Sequence, residues 1–258
     1  MSQEELEKQD NDELSLLLRK IQNDDIKEIN ITNETKKLRA CIFAGYQITF
    51  VTLPDSIETI PESAFASCTA LIKFKCSRNL KHIGPSAFFQ CIELVDFEIT
   101  PSVEIIDSAA FRSCKKLNIK LPPNLKRIGN CAFYDCLSLE EAIIPESCES
   151  IGGSSFFNCT SLKVLKLPSS LKSIPGTCFS QCSSLEDLEI PNSVESIGDK
   201  AFSNCSSLKP FKIPSSVKTL GKESFAYCYS INVFEIPYSL EYFGEYCFHP
   251  AFFKRVKE

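Results

Sequence analysis

Apolar positions recur along this chain in one frame, P-x-S-V-x-x-I-G-x-x-A-F-x-x-C-x-x-L-x-x-L-x-I, nine times between Pro54 and the C-terminus. Aligned on its phenylalanine, the frame gives Phe65, Phe88, Phe111, Phe133, Phe156, Phe179, Phe202, Phe225 and Phe248. Every step is 23 residues except one of 22, between Phe111 and Phe133. A unit this short cannot bury its own apolar side, so successive units must stack into a solenoid.

Within a unit, the segment L-x-x-L-x-I/L-P alternates apolar and polar residues and predicts a strand, most clearly at Leu162-Lys163-Val164-Leu165-Lys166-Leu167. The proline that follows has no N–H to donate and ends it. Next comes Ser or Asn in every unit: Ser56, Asn79, Ser102, Asn124, Ser147, Ser170, Ser193, Ser216 and Ser239. Such short side chains bond to nearby backbone and predict a stacked polar ladder at the bend. Glycine after the Ile in six units (Gly84, Gly129, Gly152, Gly198, Gly221, Gly244), with Pro61 and Pro175 in two others, predicts a turn. The A-F-x-x-C stretch predicts about one helical turn. In the 22-residue step, Leu117 to Pro122 is one residue short. A local distortion is expected there, with Leu117 and Leu121 both kept inward.

Residues 1–30 depart from the frame. Leu14, Leu17, Leu18 and Ile21 lie on one face of a short amphipathic helix. Asn11 or Asp12 can cap its start, and Asn23-Asp24-Asp25 ends it. Ile26, Ile29 and Ile31 then predict an edge strand. The organisation expected is an N-terminal cap over 1–30, a degenerate first repeat over 31–53, the array over 54–247 and a C-terminal cap over 248–258. In the degenerate repeat, Ile42, Gly45 and Ile48 stand where Phe, Cys and Leu stand later.

The units Ile197-Gly198-Asp199-Lys200-Ala201-Phe202-Ser203-Asn204-Cys205-Ser206-Ser207-Leu208 and Ile190-Pro191-Asn192-Ser193-Val194 resemble the leucine-rich repeat of the BspA-like family. The resemblance covers about residues 31–258. It implies the α/β fold class: a curved leucine-rich-repeat solenoid with a parallel β-sheet on the concave face and short helices or turns on the convex side. Members of that family are commonly surface antigens or adhesins, so the resemblance also implies binding of host matrix or cell-surface proteins and a place at the cell surface.

Composition narrows the picture further. Apolar residues make up 43% of the 258, and Phe dominates the aromatics, which fits a buried Phe column. Net charge is −5 with no basic block, which argues against nucleic acid as a partner. No apolar run is long enough to insert in a membrane, and Met-Ser-Gln-Glu-Glu-Leu-Glu-Lys does not read as a leader, so these features point to the cytoplasm. Eight of the 14 cysteines (Cys68, Cys91, Cys114, Cys136, Cys159, Cys182, Cys205, Cys228) share one position, three residues after the Phe. Buried reduced thiols acting as small hydrophobes are expected, with inter-repeat disulfides or zinc as the alternatives.

Charge is periodic too. One position reads Glu58, Lys81, Glu104, Lys126, Glu149, Lys172, Glu195, Lys218, Glu241, alternating without exception. On the strand, another reads Lys75, Glu98, Lys120, Ile143, Lys166, Glu189, Lys212, Glu235, broken only at Ile143, where Glu140 and Glu141 supply the negative charge. Each Lys is expected between two carboxylates on coils about 4.8 Å apart. The C-terminal 34 residues hold 11 of the 27 aromatics. Phe225, Phe234, Phe243 and Phe248 fall on core positions, and Tyr227, Tyr229, Tyr238, Tyr242 and Tyr246 on polar ones. Phe252 and Phe253 are expected to fold over the last coil.

No nucleophile, phosphate loop or paired acid points to catalysis, and no cofactor or metal is expected. His82 is expected to be a solvated surface residue, and His249 lies in the terminal segment. The reading is a non-enzymatic protein-interaction module. Its expected contacts are Lys73, Lys75, Asp96, Glu98, Lys120, Glu140, Glu141, Lys163, Lys166, Asp187, Glu189, Lys209, Lys212 and Glu235 on the concave face, plus the five tyrosines. The partner is another protein, and the chain is a monomer or a weak dimer through its C-terminal end.

Overall fold

The computed structural model describes residues 13–24, 26–248 and 253–256. Helix α1 (Glu13–Asp24) starts the described chain, with Leu14 buried and Leu17, Leu18 and Ile21 packed against the core. Glu13 ties it down by accepting from the Thr32 amide at 2.7 Å and from the Thr35 hydroxyl. The cap residues Asn11 and Asp12 lie outside the described residues. The strand expected around Ile29 is β1 (Glu28–Asn30), which pairs in parallel with β2 (Phe50–Thr52) and forms one end of its sheet.

Short parallel strands form at two places in the repeat, where the sequence pattern predicts only one, and some units lack the longer one. The longer set continues from β2 through β4 (Lys73–Lys75) and β6 (Asp96–Glu98), resumes at β9 (Glu141–Ile143) and β11 (Val164–Lys166), and ends with β15 (Phe234–Pro237) beside β17 (Phe253–Val256). The second set lies at the segment before the glycine. It comprises β3 (Thr59–Ile60), β5 (His82–Ile83), β7 (Ile105–Ile106), β8 (Arg127–Ile128) and β10 (Ser150–Ile151), then β12 (Ser173–Ile174), β13 (Ser196–Ile197), β14 (Thr219–Leu220) and β16 (Tyr242–Phe243). Two-residue strands carry almost no alternation, which is why that segment looked like a turn.

The six glycines that follow the Ile serve close approach between coils, not a left-handed backbone. A Cβ on Gly198 would stand 2.5 Å from the amide nitrogen of Gly176, and one on Gly84 would stand 2.7 Å from the Ile60 carbonyl oxygen. Left-handed backbone occurs instead on either side of the A-F pair. In the unit at Phe65, Ser63 has φ 52° and Ser67 has φ 58°, and the same two positions are left-handed in later units. This stretch is therefore a run of turns, not a helical turn. Its amides donate forward to the next coil, Ser63 to Pro85, Phe65 to Ala87 and Ser67 to Phe89, at 2.6–2.9 Å. Strand-side amides donate backward, as from Lys81 to Glu58 and from Gly84 to Ile60. Opposed donation on the two sides lets each inner coil satisfy backbone groups on both neighbours.

The phenylalanine column forms the core. Ten rings from Phe43 to Phe248 stack with centroids 5.2–5.9 Å apart and planes within 16°. The column begins at Phe43, not at Ile42: the degenerate repeat is one residue shorter between its Phe and Ile48, and Ile48 still reaches the core. Phe74 and Phe97 pack edge-on against the column at 4.8–5.0 Å.

In the short repeat the longer sheet is interrupted. Residues 118–121 form no strand, Leu117 and Ile119 are buried, and Leu121 is half-buried against the core. The Glu140 amide there donates to Asn118 Oδ1 at 3.3 Å, a side-chain acceptor. A second interruption spans two units: residues 186–190 form no strand, and in the next unit Pro210, which has no N–H to donate, leaves only the bridge between Lys212 and Glu235.

Candidate functional site

The cysteine column is structural. All eight thiols are free and buried, and each Sγ–H donates to the carbonyl of a column phenylalanine on the preceding coil, from Cys68 to Phe43 at 3.0 Å through Cys228 to Phe202 at 3.2 Å. The apolar pattern predicted their burial and missed this donation. Burial pushes the thiols far above their ordinary range, the Cys228 thiol to about 12.

The Ser/Asn ladder also acts between coils. Ser102 Oγ donates to the Arg78 and Leu80 carbonyls at 2.7 and 2.8 Å, and Asn124 Nδ2 donates to the Pro101 carbonyl at 2.9 Å. Ser216 departs from it, with a buried hydroxyl that has no partner.

The residues expected at the binding face occupy the outward side of the longer sheet or the loops beside it. In β6 the pattern is exposed, buried, exposed, so Asp96 and Glu98 face out while Phe97 faces in. Lys73 is half-buried and bridges Asp96 at 2.7 Å and Glu98 at 3.2 Å, which raises its pKa. Lys73 also lies 5.9 Å over the Phe50 ring. Lys120 approaches Glu141 at 3.7 Å, a long contact that only partly replaces the charge missing at Ile143. Lys209 contacts Glu186 at 2.5 Å and Asp187 at 3.9 Å. Lys75, Glu140, Lys163, Lys166 and Glu189 are exposed. Ile72, Val95, Ile143, Val164 and Val233, on the same face or beside it, are exposed apolar residues that sequence reasoning missed, because each fits an ordinary strand β-former.

The second charge ladder pairs neighbours two at a time. Lys81 contacts Glu58 at 3.0 Å, Lys126 contacts Glu104 at 2.7 Å, and Lys172 contacts Glu195 at 3.6 Å. A lysine does not bridge two carboxylates at contact distance; the other acts through space, as Glu149 does on Lys126.

His82 is not a solvated surface residue. Its Nε2 lies 3.1 Å from Asp107 Oδ2, and Arg127 reaches the same oxygen at 3.3 Å. His82, Ile105 and Arg127 are register partners on β5, β7 and β8, so Asp107 is held between flanking coils. Burial would raise the Asp107 pKa, but the His82 bond, the Ser108 amide and the Arg127 charge outweigh it and lower it. Asp107 occupies a position that is glycine in six units, the one signal that could have marked it. On the turn side, Arg112 stacks over Tyr134 at 4.6 Å, and Tyr134 stacks on Phe157 at 4.5 Å.

At the C-terminal end Tyr227, Tyr229, Tyr238, Tyr242 and Tyr246 are all exposed. Phe243 was expected in the core and is instead 47% exposed, whereas its register partner Leu220 is fully buried. The reason is topological: among the described residues β16 ends its sheet, while β17 extends only the other sheet. His249 and Phe252 lie outside the described residues, and Phe253 begins β17. Among the described residues no cluster of three His, Cys, Asp or Glu could hold a metal ion, and no helix is long and apolar enough to cross a membrane.

A family model for the BspA type leucine-rich repeat region matches residues 21–140 and 126–252, in six copies. Among solved structures, a leucine-rich repeat protein of T. pallidum aligns over 71% of this chain and 84% of its own, at 28% identity and a TM-score of 0.57. A leucine-rich repeat protein of Eubacterium ventriosum covers 91% of this chain and 61% of its own, at 19% identity and a TM-score of 0.50. Comparison with curated proteins finds no match.

Proposed function

The chain belongs to the BspA-type leucine-rich repeat family, and from that premise we propose that it is a non-enzymatic protein-interaction module. One observation carries the reading. The outward side of the longer sheet presents charged and apolar side chains in fixed register, on strands whose inner residues are locked in a continuous core. A surface built this way offers preorganised contacts at low entropic cost on binding. The exposed tyrosines at the C-terminal end supply a second patch of the kind that anchors partners. His82, Asp107 and Arg127, which cluster on the shorter strands, pair with one another between coils.

The test is capture of partners from native lysate by the intact chain, compared with a variant carrying Lys163→Glu and Lys166→Glu. A partner retained by the first and lost by the second supports the reading. Identical capture by both removes this face from it. Localisation of the native protein on intact and permeabilised cells then distinguishes an internal partner from a host or matrix protein at the cell surface.

A further inference from the structure

The strand ladder of charge has one break, and its surroundings favour a particular ligand. In register order the outward position reads Lys75, Glu98, Lys120, Ile143, Lys166, Glu189. Lys75 and Glu98 are paired residues on adjacent coils, as are Ile143 and Lys166. Only around Ile143 do two lysines flank a neutral side chain: Lys166 is its register partner, and Lys120 lies on the coil before it, in the stretch that forms no strand. Ile143 is 44% exposed and Val164, beside it on β11, is 43% exposed. Lys73 is held by two carboxylates, but Lys120 reaches only Glu141 at 3.7 Å, with its side chain 89% exposed. Lys166 has no ion-pair partner among the described residues.

We propose that this break is a docking site for an extended acidic peptide segment of a partner protein, with an apolar side chain between two carboxylates. This deepens the interaction-module reading and rests on it. In an extended peptide, residues i, i+2 and i+4 face one way at intervals of about 6.8 Å. A Glu-x-Leu-x-Glu segment lying along the stacking direction sets its leucine on Ile143 and Val164 and its carboxylates within reach of the flexible Lys120 and Lys166 stems. Charge complementarity selects the ligand, because the apolar spot is bordered by two cations without strong internal partners. Glu141, the register partner of Val164 and the contact of Lys120, is the carboxylate such a ligand displaces.

The experiment measures binding of a fluorescent, end-blocked Glu-Ser-Leu-Ser-Glu peptide to the intact chain, with Lys-Ser-Leu-Ser-Lys and Glu-Ser-Ser-Ser-Glu as controls. The acidic peptide should bind, both controls should bind at least about tenfold more weakly, and added salt should weaken the complex. Ile143→Glu is the decisive variant, because it restores the charge alternation and preserves the fold. It should keep or raise Tm and lower peptide affinity about tenfold or more. Equal binding by native chain and Ile143→Glu, or equal binding of the acidic and basic peptides, overturns the site. If the site fails while lysate capture still depends on other residues of the face, the module reading stands without it. If both fail, the reading falls with it.

Discussion

The sulfur of Cys159 lies 3.2 Å from the carbonyl oxygen of Phe133, the column residue of the preceding coil. The same contact recurs from coil to coil, so a weak donor becomes a repeated link between neighbouring units. Cys159→Ala removes both the donor and the volume of the sulfur and should cost about 1–2 kcal/mol. Cys159→Val fills the slot without a donor and branches at Cβ, and should cost about 1–3 kcal/mol. Urea unfolding decides between packing and donation: a valine variant as stable as the native chain means that the thiol bond contributes nothing.

The same thiols set an alkaline limit. Burial pushes the Cys228 thiol of the column up to about 12 from the ordinary 9.0, and the buried Cys178, outside the column, equally far. A raised folded-state pKa means that above the unfolded value the unfolded chain binds fewer protons than the folded one. Their contribution is therefore complete below pH 9.0 and declines as pH rises from there toward 12. Tm measured from pH 7 to 11 should stay level and then fall, more steeply than in a variant with several column cysteines replaced by alanine.

Phe156 touches Phe133 at 5.2 Å and Phe179 at 5.3 Å, so its removal opens two coils at once. Phe156→Ala should cost about 3–5 kcal/mol. Phe243→Ser makes the opposite case, since that ring is half in solvent at the end of its sheet; it should change stability by less than about 1 kcal/mol. Denaturant midpoints of the two variants check the pair, and a large loss for Phe243→Ser would mean that the end of the sheet is covered.

Stacking, the inward phenylalanines and the buried thiols were legible because each follows from one period and one apolar phase. What was not legible depends on neighbouring coils instead of on residues within one. Ser63 and Ser67 are left-handed because their amides reach the next coil, a requirement with no glycine to mark it. Phe243 fits the apolar frame as well as Leu220 does, but among the described residues no further strand pairs beside β16 to cover it. His82 reads as a surface residue in the sequence because Asp107 and Arg127 lie 25 and 45 positions further on. Ile143 was read as a gap in charge, and only exposure showed it to be an apolar spot between two lysines.

The short repeat allows a test by insertion. Between Leu117 and Ile119 the chain has one intervening residue, whereas Leu94 and Phe97 have two. The missing position leaves residues 118–121 outside the sheet and makes Asn118 Oδ1 the acceptor for the Glu140 amide. One extra lysine between Leu117 and Asn118 restores the 23-residue step and places Ile119 and Leu121 in the phase of Phe97 and Ile99. Strand pairing should then run unbroken from β6 to β9, adding ladder bonds at about 0.5–1.5 kcal/mol each against the entropy of one more ordered residue. A net gain of about 1 kcal/mol in urea unfolding is expected, with slower hydrogen exchange of the amides between Leu117 and Leu121. In the native chain, Asn118→Ala should cost about 1 kcal/mol through the lost acceptor, and the same substitution in the inserted chain should be nearly neutral. A destabilised insertion variant, or an Asn118→Ala cost unchanged by the insertion, would show that the gap is accommodated by something other than the Asn118 contact.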